Sequence, residues 1–146
     1  MKKFIFIGLF LFLSANFAIA QQKGVAPKSI ISLGASLKKY HEKAELDKML
    51  KGPLLDLYIE RIKVLINTLP YIALTTRAGV TMADLGIPDT VETNKLLDTQ
   101  KENTRAFLDA TVDFQKGMTP YADKGSLVSS ILYYEAMLKE LNTLNE

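Results

Sequence analysis

The stretch PLLDLYIERIKVLINTLPYIALTTR, residues 53–77, decides the fold. Leu54, Tyr58, Ile62, Leu65, Leu69 and Ile72 recur at intervals of three and four, and Leu55, Ile59 and Ile66 widen the same stripe. That period puts them on one face of an α-helix, whereas a half-buried strand needs strict alternation. Pro53 suits a first helical turn, where a missing N–H costs nothing. Pro70 is the difficulty, because it cannot donate to the carbonyl of Ile66 and its ring crowds that turn. Since the register runs on to Ile72, the spacing predicts one kinked helix over 53–77. Two shorter helices meeting at Leu69-Pro70 are the alternative.

Upstream, Ile30, Leu33, Leu37, Tyr40 and Ala44 follow the same spacing, shifting to Leu46, Met49 and Leu50 before Gly52-Pro53 closes the run. They predict a first helix from Ser29, or from nearer Ser36 given Gly34. Downstream, a third helix is expected from Ile87-Pro88-Asp89-Thr90 to Lys116, with Gly117 as its C-cap. Its apolar face reads Leu96, Phe107, Ala110 and Phe114, flanked by Leu97, Leu108 and Thr111. A fourth opens at Gly125-Ser126 with Ser126 as N-cap, and carries Leu127, Ile131, Tyr134, Leu138 and Leu141. Glu135 and Lys139 read as a favourable i, i+4 pair. These four segments predict an all-α fold, an antiparallel four-helix bundle over 29–146 with a kinked second helix. Ile62, Leu65, Phe107 and Leu138, central to their stripes, are the expected core.

Met1-Lys2-Lys3, the apolar run Phe4–Leu13 and Ala18-Ile19-Ala20 read as a cleavable signal peptide over 1–20, followed by a flexible lead over 21–28. Of the 18 Lys and Arg, two lie in the signal segment, which holds none of the 16 acids, so equal numbers of each sign remain. The basic balance therefore belongs to targeting and gives no argument for nucleic acid. The expected location is periplasmic or secreted, with no membrane span after cleavage. Without Cys, disulfide scaffolds and thiolate metal sites are excluded.

The residues supply no catalytic constellation. His41 is the only imidazole, so a di-iron centre built on two Glu-x-x-His motifs fails. His41 with Glu45, and Glu42 beside them, is the one local metal candidate, and it reads as an exposed helix surface rather than a site. Asp109 with Asp113, and Asp56 with Glu60, read as solvated faces. No cofactor and no metal are expected.

Two features stand out. The connection Thr76–Asp89 is long for a bundle, and Val80, Met82, Leu85 and Ile87 make it apolar. It predicts either a packed cap over the bundle end or a partner-binding surface of Arg77, Val80, Met82, Asp84 and Leu85, joined by Tyr121 from the loop Met118–Lys124. The stripe of the third helix also carries Gln100 and Asn103, which would form a buried polar layer if that stripe faces inward. The functional expectation is a non-enzymatic interaction module of the cell envelope with an unknown envelope protein as partner. A ligand-binding or chaperone-like bundle, taking a small apolar ligand in a groove, is the alternative.

Overall fold

A computed structural model describes residues 27–144. Residues 1–26, on which the expected signal peptide and most of the expected flexible lead fall, lie outside the described residues. The protein is all-α, with helices α1 (Lys43–Leu46), α2 (Lys51–Thr68), α3 (Val91–Met118) and α4 (Lys124–Thr143). Single 3-10 turns occupy Leu69–Tyr71, Ala83–Leu85 and Thr119–Tyr121. Helix α2 is central and packs against both α3 and α4. Among the described residues no helix is long and apolar enough to cross a membrane.

The expected first helix reduces to the single turn α1. Residues 29–41 run instead as an extended, turning segment, joined to the connection by the isolated bridge between Ser29 and Thr81. Ile30 N–H donates to the Val80 carbonyl at 2.7 Å, and Gly79 N–H donates to that of Ile31 at 2.9 Å. The reason is local chemistry. Paired β-branched residues among Ser29, Ser32, Gly34 and Ser36 form helix poorly. An extended backbone also lets both Ile30 and Ile31 be buried. Gly79 makes the return possible, with φ at 88° and the Leu33 side chain 2.8 Å from where a Cβ would stand.

Helix α2 also stops short of the expected 53–77 run. Its last α-helical residue is Thr68, and Pro70 sits in the 3-10 turn that follows. The Leu69 N–H still reaches the Leu65 carbonyl, but Pro70 has no N–H for the next bond, and the chain leaves in turns closed by Leu74 and Thr75 on the Tyr71 carbonyl. In α3, Thr90 caps the first turn by accepting from Thr93 N–H at 3.2 Å, while the Thr93 hydroxyl accepts from Thr90 N–H. Gly117 lies inside α3 rather than ending it, and α4 is capped by Asp123, which accepts from Ser126 N–H at 2.8 Å.

Three apolar clusters hold these elements. Leu46 and Leu54 meet Leu127, Val128 and Ile131 at one end. Val64, Leu65 and Leu138 form the middle, with Leu37 and Tyr40 from the extended segment against them. Ile30, Ile31, Tyr71, Met82 and Leu97 fill the other end. The expected core residues Ile62, Leu65 and Leu138 are buried, but Phe107 is not. In α3 the buried residues are Leu97, Thr104 and Leu108, so the helix is turned by one residue, about 100°, from the expected register.

Candidate functional site

That rotation creates the most unusual surface of the molecule. Leu96, Phe107 and Phe114 are 71%, 59% and 60% exposed on the outer side of α3, continued by Met118 at its C-terminal end. Spacings of 11 and 7 keep these three on one side of the helix, about 100° from the buried seam. Gln100 and Asn103, expected as a buried polar layer, lie on this same exposed side. With Ile66, Leu69, Pro70 and Phe107 they line a shallow groove of about 300 Å³ between α3 and the end of α2. An apolar row interrupted by two amides between Leu96 and Phe107 offers both burial and directional hydrogen bonds to whatever docks there.

The connection behaves differently. Met82 is buried against Ile30, Ile31, Tyr71 and Leu97, and Val80 is half-buried with its carbonyl bonded to Ile30. Asp84 accepts from both the N–H and the hydroxyl of Thr81, at 2.8 and 2.7 Å, which holds its carboxyl below the usual aspartate range. Arg77, Asp84 and Leu85 are exposed. So the residues proposed together from sequence divide: Met82 is a core residue of a packed cap, and only its neighbours face outward. Tyr121 is 86% exposed in the turn after α3, at the other end of that helix.

No family model, curated protein or solved structure matches this chain.

The interior holds a polar cluster that the sequence did not suggest. Arg61 of α2 and Glu135 of α4 are 0% and 1% exposed. Arg61 Nη2 donates to Glu135 Oε1 at 2.7 Å and Nε donates to the same oxygen at 3.1 Å. Nη2 also reaches the Lys39 carbonyl at 3.0 Å, and Nη1 pairs with Glu60. Glu135 Oε2 accepts from the His41 backbone N–H at 2.7 Å. His41 Nδ1 lies 2.9 Å from Arg61 Nη2 and 3.2 Å from Glu135 Oε1. The two N–H groups of Nη2 are matched by Glu135 Oε1 and the Lys39 carbonyl, and the His41 ring packs with Nδ1 against both members of the ion pair.

The cluster is thus a clasp. It ties the extended segment at Lys39 and His41 to the seam between α2 and α4, with every long-range charge partnered. Glu135 pairs with Arg61 rather than with Lys139 as expected, and the Lys139 Nζ lies 5.0 Å from the Tyr40 ring centroid. The signal was present in the spacing: Glu135 falls with Val128, Ile131 and Leu138 on one helical seam, and an acid there demands a buried cation. His41 and Glu45 face different partners, Glu45 bonding Lys39 at 2.5 Å, so they do not converge as a metal pair. Tyr58 stacks on Tyr134 at 5.6 Å, and burial, aided by that neighbour's hydrogen bond, pushes its hydroxyl up to about 12.

Proposed function

We propose that this chain is a non-enzymatic, exported interaction module of the cell envelope that holds a protein partner on the outer face of α3. The observation that carries the reading is the exposed row Leu96, Phe107 and Phe114 on a helix whose own core seam is only Leu97, Thr104 and Leu108. A 28-residue helix with so thin a seam does not keep two phenylalanines in water for its own stability. The scaffold is read as an antiparallel bundle in which the extended segment stands where a fourth long helix would lie. That substitution leaves the far side of α3 uncovered. A partner's amphipathic helix laid along the groove would bury the row and meet Gln100 and Asn103 at mid-length. Export rests on the N-terminal pattern described above.

The test is the pair Phe107→Ser and Phe114→Ser. Both residues are exposed, so the melt should move by no more than about 0.5 kcal/mol, while capture of the partner from envelope extract is lost. A clear loss of stability with capture retained would reject the reading. A second reading, a groove for a small apolar ligand, is favoured by the apolar lining Ile66, Leu69, Pro70 and Phe107. It predicts saturable one-to-one binding of an environment-sensitive apolar dye that Phe107→Ser abolishes.

A further inference from the structure

On the other flank of α3 lies a larger cleft of about 840 Å³, walled by the extended segment at Pro27–Ile30, by α2 and by α3 itself. Its size falls within the range of small-molecule sites. Helix α3 contributes Lys101, Arg105, Asp109 and Asp113, each four residues from the last, so all four share one face. The charge changes sign half-way along the row. Arg105 and Asp109 stand at i, i+4 yet form no ion pair, in keeping with the poorer order of base before acid. Among the described residues, Arg105, Asp109 and Asp113 have no side-chain hydrogen bond, and Lys101 spends only one of its three donors, on the Ser29 carbonyl at 2.6 Å.

A second observation is independent of this row. Tyr71, on the cleft lining, is 6% exposed and its hydroxyl is the buried side-chain atom left without a partner among the described residues. Buried hydroxyls are almost always bonded. Lys63 and Asn67 on the α2 wall add donors, Asn67 keeping one amide N–H beyond the one it gives to the Lys63 carbonyl at 2.8 Å, and Leu108 and Val112 add apolar lining.

We propose that this cleft binds a short peptide with free termini, its carboxylate at Lys101 and Arg105 and its ammonium at Asp109 and Asp113. The midpoints of the two charged pairs are eight residues apart, roughly 12 Å along a helix rising 1.5 Å per residue. An extended peptide covers about 3.3–3.6 Å per residue, so three or four residues match that span. Lys63 and Asn67 donate to the peptide carbonyls. The site is separate from the apolar row on α3 and does not depend on it.

The test is calorimetric titration of the full chain with trialanine at low ionic strength, against the same peptide acetylated, amidated or both. Trialanine should bind, and capping both ends should weaken it about tenfold or more. Arg105→Gln and Asp113→Asn should each weaken trialanine about three- to tenfold. Asp113→Asn should have no further effect on the acetylated peptide, which has already lost its ammonium. Both variants concern exposed side chains, and unchanged melts confirm that each remains folded. Absence of binding, equal binding of the doubly capped peptide, or competition by inorganic phosphate with no dependence on Asp113 would each overturn the proposal. The last result would make the cleft a plain anion site.

Discussion

Replacing Arg61 by Met tests the clasp. The change removes the guanidinium paired with Glu135, whose carboxylate is 1% exposed and, among the described residues, would keep the His41 N–H and ring as neighbours. Leaving one member of a buried ion pair costs about 3–5 kcal/mol, a large share of the ~5–15 kcal/mol that a domain of this kind has in total. Glu135→Leu should cost a similar amount by stranding the guanidinium. The double variant removes both charges and fills the space with apolar volume, so it should be less damaged than the sum. A coupling of about 2–3 kcal/mol is expected for residues in one network. Urea melts of the four proteins measure it. Hydrogen exchange at the His41 amide gives the local readout, since that N–H loses its acceptor in Glu135→Leu. Losses that add within about 0.5 kcal/mol, or single losses below about 1 kcal/mol where several are expected, would refute the clasp.

Other consequences follow from packing and titration. Ile131→Ala, in the fully buried cluster with Leu46 and Leu54, should destabilise by about 2–5 kcal/mol in the same melts, whereas Phe107→Ala should stay within about 0.5 kcal/mol; equal losses would return α3 to the register read from sequence. Met82→Asp should unfold the cap, because a charge would be forced among Ile30, Ile31 and Leu97, and a melt unchanged from wild type would mean the connection is not packed. Gly79→Ala should cost about 1–2 kcal/mol because φ is 88°, and a stabilised variant would contradict that backbone. Tyr58 has its hydroxyl raised from about 10 to about 12, so the stability it contributes is complete below about pH 10 and lost as the pH rises through about 12; Tyr58→Phe should flatten the alkaline side of the stability curve, and an unaltered slope would remove Tyr58 as its source.

The sequence made α2 and α4 legible because each has one apolar seam, from Leu54 to Thr68 and from Leu127 to Leu138. Helix α3 has two candidate seams one residue apart. The row with the aromatics, Leu96, Phe107 and Phe114, outweighed the true seam of Leu97, Thr104 and Leu108 because hydropathy cannot say which face has a neighbour. The segment Ser29–His41 imitated helical spacing through Ile30, Leu33 and Leu37. Its backbone bonds go to Gly79 and Val80, about fifty residues away, and such pairing leaves no local pattern. Arg61 and Glu135 were hidden for the opposite reason. Each lay on a readable seam, but a charged residue there is taken as a flank unless its partner on another helix is known. The candidate interaction surface was therefore placed on the connection, where apolar residues were conspicuous, when Met82 among them serves the core.

The claim that the outer face of α3 holds a partner is tested most directly by photo-crosslinking in the native envelope. A benzophenone amino acid placed at position 107 or 114 should yield one adduct of discrete mass, and placed at the exposed Glu102, on another face of the same helix, it should yield none. Adducts from neither outer position, or the same adduct from Glu102, would contradict the account.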